Sequence, residues 1–448
     1  MKLKSGYSFW IHSVFFTLLN RFSLIAFGVI GYIILAKKVF PTTKEMGVWA
    51  LFLSILALIE TIKQGLLRNP TIKFLSEPEY VSDRNKIQSA SLIINILFST
   101  MAIGFVVFGG HLITKWLNTP ELYPLIQLGI LLIILLVPFN HFEVLLQAHF
   151  QFRPIFYGYF LRQGVFLISI VLLLIFHKSA LTLINLVRLQ ILALASGTGI
   201  LLYFARPYFY RKFDVERKTM LRMFHFGKYI FGTNVFSAFG RSADQFITAG
   251  LISADVVAYY NVVARINNMM DVPSLAVADV LFPKNVEAMA ISGEEKVKYY
   301  FERMVGSIIS ILAPASLLIF CMPHLFIKLL AGSKYLAAVP ILQTVILFSF
   351  LRPFSYQFGA TMDAIGKPRI NFWVNLLSMC LNYGCMYIGL RLTGWMGAAY
   401  GTVAAAILSF SIMCAVLNKT IGVRLGETFR YVGFAYGEMA GIIKKSIK

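Results

Sequence analysis

The chain has 448 residues, of which 58% are hydrophobic and 14% charged, with a formal net charge of +21. Soluble domains carry about 25% charged residues, so this composition and a mean hydropathy of +0.73 exclude an ordinary soluble protein. The charge does not read as a nucleic-acid footprint either, because the basic residues fall in alternating loops between apolar runs, as orientation in a membrane requires.

Apolar runs of 18 or more residues recur along the whole length, and about 20 residues span a bilayer. The runs have helical periods and are too long for barrel strands, so the fold class is an all-α integral membrane protein. Twelve spans are predicted. The first, Phe9–Ala36, carries Thr17 and Arg21. It has no small-residue cleavage site before Lys37 and Lys38, so it reads as a retained helix rather than a signal peptide. The second, Glu45–Leu67, places Glu60, Lys63 and Gln64 together. The third is Ile87–Leu112. The fourth, Leu122–Ala148, carries Asn140, Glu143 and Gln147. The fifth and sixth, Ile155–Phe176 and Leu181–Phe204, hold Arg162 and Arg188. The seventh, Phe224–Leu251, has the most polar face: Asn234, Ser237, Arg241, Asp244 and Thr248 recur at helical spacing. The eighth, Val256–Phe282, repeats the pattern with Asn261, Arg265 and Asn268. The ninth is Tyr299–Met322. The tenth, Tyr335–Met362, offers Arg352 and Tyr356, with Asp363 just beyond. The eleventh, Ile370–Leu392, carries Asn371, Asn375, Ser378 and Asn382, and the twelfth is Trp395–Leu417.

One set of loops, with both termini, holds most of the 41 basic residues; the other holds only Lys37, Lys38, Lys44, Lys115, Lys178, Lys328, Lys334 and Arg391. The termini are therefore expected on the cytoplasmic side. The longest basic linker, residues 205–222, divides the chain into two six-helix lobes, 1–204 and 223–418. The connections LLQAHFQFRP (145–154) and ATMDAIGKPR (360–369) occupy the same place in each half, and each has a polar residue before alanine and a proline beside an arginine. They read as an internal repeat, as in transporters built from parallel repeats, or as two ordinary loops. The tail, 419–448, is too short and charged to span; its aromatic and basic residues suit an interfacial helix or a disordered segment.

Charges inside spans carry the functional signal. A central arginine costs about 2.5–3.5 kcal/mol on the insertion scale and normally faces an aqueous cavity or a partner. Polar stripes also serve as interhelical glue, and that reading stays open for the asparagines of the eleventh span. Glu60 and Lys63 form a candidate ion pair at i, i+3, or Lys63 snorkels alone. For Arg21, Arg241, Arg265 and Arg352, serine or asparagine would meet a hydrogen-bonding need more cheaply, so these four are the candidate anion-binding residues. Arginine suits phosphate because its planar fork donates two bonds and stays charged. Asp244, Glu60, Lys63, Asn234, Asn268 and Asn375 are candidate supporting residues. No P-loop, HExxH or Asp-x-Asp pair occurs, and no cofactor or metal is expected. Cys321, Cys380, Cys385 and Cys414 all lie inside spans without metal-ligand pairing.

The stretch GRSADQFITAGLISADVVAYYNVVARI (240–266) resembles the start of the second half of bacterial polysaccharide and oligosaccharide flippases (Wzx-like). Arg241, Asp244, Tyr259, Tyr260 and Arg265 match that pattern. NRFSLIAFGVIGYIILAKKVFPTTKEMGVWALFLSI (20–55) resembles the family's opening helices, and DAIGKPRINF (363–372) also fits. The resemblance implies the multidrug/oligosaccharidyl-lipid/polysaccharide exporter superfamily: two six-helix lobes around a central cavity. It also implies movement of polyprenyl-diphosphate-linked oligosaccharide across the bacterial cytoplasmic membrane for surface polysaccharide such as O-antigen, lipopolysaccharide or exopolysaccharide. Implied partners are the lipid-linked oligosaccharide, membrane lipids, polysaccharide polymerase machinery and H+ or Na+ as coupling ion. Twelve spans rather than the fourteen of some members leaves the path of the lipid tail open. Two alternatives are a cation-expelling multidrug exporter, which the arginines oppose, and a membrane-embedded polymerase or ligase, which should carry a large outer loop.

Overall fold

The computed structural model describes residues 4–76, 83–209 and 212–446, without the side chains of 4–14, 232–244 and some others. Among the described residues all regular structure is helical. In chain order the helices are α1 (Lys4–Ile34), α2 (Thr43–Ser76), α3 (Arg84–Trp116), α4 (Leu122–Ala148), α5 (Phe152–Phe176), α6 (Leu183–Ala205), α7 (Arg217–Leu251) and α8 (Ala254–Ser292). They continue as α9 (Glu294–Cys321), α10 (Pro323–Leu330), α11 (Val339–Ile346), α12 (Arg352–Ala364), α13 (Pro368–Thr393), α14 (Gly397–Ile421) and α15 (Leu425–Ser446).

Among the described residues eight helical runs are long and apolar enough to cross a bilayer, one of them covering both α13 and α14; α11 and α12, bent by 40°, make a ninth. Helices α7 and α8, at 35 and 39 residues, have ample length. This arrangement is consistent with twelve spans. Its surface is that of a protein solvated by lipid: Met101, Phe105, Phe108 and Leu112 project outward from α3, and Ile168, Leu172, Ile175 and Phe176 from α5. Polar groups such as Lys63, Asn95, Asn140, Glu143 and Asp271 are turned inward.

The predicted tenth span is not one rod. It breaks between Ile346 and Arg352. Pro353 sits in the first turn of α12, where its missing N–H costs nothing, and it cannot lie in a continuous helix without losing a hydrogen bond. Pro323 opens α10 in the same way, a short helix the sequence reading did not separate from its loop.

The chain forms two compact units, residues 1–242 with 253–255, and 243–252 with 256–448. The division falls inside α7, because its first turns belong to the core of the first unit. Met223, Phe226 and Phe231 pack with Leu67, Phe74, Leu75, Ile87, Ile94 and Leu145. The segment before α7 is also tied down. The Asp214 N–H donates to Ser89 Oγ at 3.0 Å. Lys86 pairs with Glu216 at 3.3 Å, and the Thr219 hydroxyl donates to the Glu216 carboxylate at 2.8 Å.

Within the second unit a core of Phe301, Val305, Phe354, Phe358, Met362, Met413 and Leu417 joins α9, α12 and α14. Helices α13 and α14 form a hairpin whose backbones nearly touch. A Cβ on Gly397 would lie 1.9 Å from the Gly389 carbonyl oxygen, and one on Gly401 would lie 2.4 Å from that of Cys385. Small residues at such contacts permit the close packing that drives helix association in lipid. Tyr260 on α8 fixes the mouth of this hairpin. Its hydroxyl donates to the Trp395 carbonyl at 2.8 Å and accepts from the Ala399 N–H at 2.8 Å.

The α4–α5 and α12–α13 connections share one backbone pattern. In the first, His149 N–H donates to Leu145 O, Phe150 N–H to Gln147 O and Gln151 N–H to Leu146 O. In the second, Ile365 N–H donates to Thr361 O, Gly366 N–H to Asp363 O and Lys367 N–H to Met362 O. The left-handed position is Phe150 (φ 56°) in one and Gly366 (φ 76°) in the other.

The tail contains a helix. Gly306 on α9 lets α15 approach so closely that a Cβ there would lie 2.8 Å from the Thr428 carbonyl oxygen. Glu302 accepts from the Arg424 N–H at 2.9 Å, and Tyr436 donates to the Ser310 carbonyl at 2.8 Å.

Candidate functional site

The polar groups inside the spans gather in a cluster within each unit. In the first unit the cluster lies where α2, α4 and α5 pack. Lys63 is 1% exposed and Glu143 8%. Glu143 sits one turn after Asn140 and one turn before Gln147, so the three share a face of α4. The Tyr159 hydroxyl donates to the Glu143 carboxylate at 3.0 Å, and Arg68 Nε donates to Gln147 Oε1 at 2.9 Å. The Arg162 guanidinium lies 5.3 Å from the centre of the Phe139 ring, within range of a cation–π contact. The Lys63 ammonium and both polar atoms of the Asn140 side chain have no hydrogen-bond partner among the described residues. Glu60 shares a helical face with Lys63, but the expected ion pair does not close into a contact. Lys63 alone is taken into the packing between helices, where its ammonium finds no hydrogen-bond partner among the described residues.

In the second unit the cluster is built on the break before α12. The break starts a new helix at Arg352, and Tyr356 follows one turn later on the same face. Both converge on Asp271 of α8: Arg352 Nη1 lies 2.9 Å from Asp271 Oδ2, and the Tyr356 hydroxyl donates to the same oxygen at 3.1 Å. The Asp271 side chain is 6% exposed and that of Arg352 39%, so the carboxylate is covered while the arginine side chain stays partly accessible. Around them Gln357 donates to the Ser274 carbonyl at 2.9 Å and Asn285 to Thr361 at 3.0 Å. The pairing of Asp271 with Arg352 crosses 81 positions of chain and leaves no local signal.

Of the other candidates, Arg21 lies exposed on α1, Arg265 is half-buried on α8, and Asn268 is exposed on the same helix. Asn234, Arg241 and Asp244 fall on α7, and their side chains lie outside the described residues. Asn375 belongs to a relay: it donates to Asn371 Oδ1 at 2.6 Å, and Asn371 donates to Asp363 Oδ1 at 2.9 Å. The relay holds the α12–α13 turn. Tyr260 of the predicted aromatic pair is the structural latch on α14, and the Tyr259 ring meets Tyr335 edge-on at 6.5 Å. Sequence reasoning missed Arg68, Tyr159 and Gln357 as members of these clusters, although Arg68 lies four positions after Gln64 and Tyr159 three before Arg162, both residues it did single out.

Electrostatically the two clusters are mixed rather than acidic. The first brings Glu60 and Glu143 together with Lys63, Arg68 and Arg162; the second sets Asp271 against Arg352. Among the described residues no group of three or more histidine, cysteine or carboxylate side chains could hold a metal. The first arrangement keeps the Glu143 carboxylate buried against a tyrosine hydroxyl, and the second leaves the Arg352 side chain partly accessible beside Asp271.

A family model described as "Polysaccharide biosynthesis protein" matches residues 34–340. The chain belongs to the polysaccharide biosynthesis protein family. This family member is 22% identical over 420 residues to the lipopolysaccharide biosynthesis protein WzxC of Escherichia coli K12, an overlap of 91% of this chain and 80% of that protein. It is 21% identical over 432 residues to an uncharacterized membrane protein in the cps region of Klebsiella pneumoniae, covering 94% and 84% of the two. Among solved structures, it resembles the lipid II flippase MurJ in an inward closed conformation, with a TM-score of 0.77, 13% identity, and 96% and 93% of the two chains covered. An inward-facing multidrug resistance MATE family transporter of the MOP superfamily gives 0.74, 15% identity, and 90% and 96%. At these identities the structural likenesses establish the fold alone, an all-helical bundle shared with those two proteins.

Proposed function

We propose that this protein is a flippase that moves polyprenyl-diphosphate-linked oligosaccharide repeat units across the bacterial cytoplasmic membrane for surface polysaccharide synthesis. The observation that carries the reading is the partly accessible Arg352 side chain, paired with Asp271, to which Tyr356 also donates, in a polysaccharide biosynthesis family member. A diphosphate is an anion that a guanidinium suits, since a planar fork can donate two bonds to it. Arg21, Arg241 and Arg265 are assigned to the same anionic path, with Asp244, Asn234, Asn268 and Asn375 supporting it. The lobes alternate access to the two sides, and both termini are cytoplasmic. The cluster of Glu60, Lys63 and Glu143 is assigned to the coupling ion, H+ or Na+; buried ionisable groups inside a membrane are characteristic of such relays. The reading makes the protein a transporter and assigns it no catalytic residue. A multidrug exporter shares the fold, but a cation as cargo would call for carboxylates where this chain places arginines.

The test is to delete the protein in its host and locate the lipid-linked repeat unit. It should accumulate in the inner leaflet, and Arg352→Lys, which keeps the charge but loses the fork, should restore little transport at normal abundance. Unchanged outer-leaflet delivery in the deletion strain would sink the proposal.

A further inference from the structure

A second basic site lies apart from both clusters, in the cleft between α9 and α15. Its volume is about 350 Å3. Helix α9 contributes Tyr299, Arg303 and Ser307, and α15 contributes Arg430, Tyr431 and Phe434, with Glu427 at the edge. The geometry points to a binding site for the phosphate of an anionic glycerophospholipid.

The cleft contains two guanidiniums, one from each helix, and one carboxylate. Arg303 is braced by a hydrogen bond to the Tyr299 hydroxyl at 2.7 Å. Arg430 is held by Glu427 at 3.5 Å and lies 5.7 Å from the centre of the Phe434 ring. Lys296 adds a third positive charge at the rim, 5.1 Å from the Tyr299 ring. The brace and the ion pair orient both guanidiniums, each of which carries five N–H groups.

The position along α9 makes the ligand a lipid. The first turn of this helix is charged, with Glu294, Glu295, Lys296 and Lys298, whereas Ile311, Leu317 and Leu318 project outward as lipid-facing residues. Arg303 lies about 12 Å along the axis before Ile311 at 1.5 Å per residue, which is headgroup depth. Tyrosines concentrate at that depth in membrane proteins, and Tyr299, Tyr300, Tyr431 and Tyr436 are grouped here. Three aromatic rings line the cleft beside the arginines, giving the glycerol backbone an apolar wall while the phosphate meets the forks. Basic pockets between helices at the membrane surface recognise phospholipid headgroups on the same physical basis. The contacts of Glu302, Gly306 and Ser310 clamp α15 to α9 independently of the cleft, so the site is preformed.

The experiment uses the full chain in mixed micelles with equimolar phosphatidylglycerol and phosphatidylcholine, followed by native mass spectrometry of the retained lipids. Wild type should retain phosphatidylglycerol preferentially, and Arg303→Gln/Arg430→Gln should lose that preference by about tenfold or more. Its unfolding temperature in lipid-free detergent should stay unchanged. If the double variant misfolds, Arg430→Gln alone serves, because that side chain is 67% exposed. Equal phosphatidylglycerol retention by the folded variant overturns the site. Displacement of the lipid by millimolar inorganic phosphate overturns the lipid assignment, leaving a simple phosphate site. The result is independent of what the protein transports.

Discussion

Removing the hydroxyl of Tyr260 should be among the costliest single-atom changes in the second unit. The first turn of α14 leaves its N–H groups without intrahelical acceptors, and Met396, at the cap position, supplies no side-chain bond. Tyr260, 5% exposed, fills that role from α8 by accepting from Ala399 N–H, and it donates to the Trp395 carbonyl in the same gesture. Tyr260→Phe keeps the ring and strands both backbone groups where water is scarce. An unsatisfied buried backbone group costs about 1–3 kcal/mol, so the pair together should cost roughly 2–4 kcal/mol. The adjacent tyrosine is the internal control: the Tyr259 hydroxyl has no hydrogen-bond partner among the described residues, and Tyr259→Phe should change stability by less than about 0.5 kcal/mol. Equilibrium unfolding of both variants in mixed micelles, followed by helical circular dichroism, measures the difference. Equal stabilities for Tyr260→Phe and Tyr259→Phe would refute the capping role.

Gly397→Leu should drive the α13–α14 hairpin apart, because even a Cβ would overlap the Gly389 carbonyl; the expected outcome is loss of folded yield on size-exclusion chromatography, while the same change at the uncrowded Gly384 is tolerated. Gly366→Ala places a side chain at φ 76° and should cost about 1–2 kcal/mol, measured in the same unfolding assay. Glu216 is held below its ordinary carboxylate value, first by the Thr219 hydroxyl and then by Lys86. A depressed folded value means that its stabilisation is present above the unfolded value, about 4.3, and is lost as pH falls through the folded one. Glu216→Gln should therefore lower the unfolding midpoint at neutral pH, with the gap to wild type closing below about pH 4; a gap that persisted in acid would assign the effect to packing. Glu143→Gln should abolish ion-gradient-driven flipping in proteoliposomes while leaving cargo binding intact; full gradient response in this variant would remove Glu143 from coupling.

The helical class and the polar stripes are legible in the sequence because both follow from period and composition. Glu143 and Gln147 find their partners, Tyr159 and Arg68, 16 and 79 positions away, yet their shared face is set by local spacing alone. The paired turns are legible as well: the polar residue before alanine marks the helix end that Gln147 and Asp363 share. The break before Arg352 leaves a signal in Pro353, masked by the uninterrupted apolarity on either side. Long-range partners leave none. Nothing near Tyr260 announces a bond to Ala399, and nothing near Asp271 announces Arg352, because periodicity says which face a side chain takes and not which helix lies opposite. Glu60 and Lys63 show the converse error: local spacing proposes a pair, and tertiary packing carries one member away.

The anchoring of the first turns of α7 has a consequence for dividing the polypeptide. A cut in the segment 205–222 looks natural from its charge, yet it would leave Met223, Phe226 and Phe231 on one fragment and the residues they pack against, Leu67, Phe74 and Leu145, on the other. Each piece made alone would present half of an oily joint. Made together in one cell, the two should recognise each other through that joint and reassemble without a peptide bond between them.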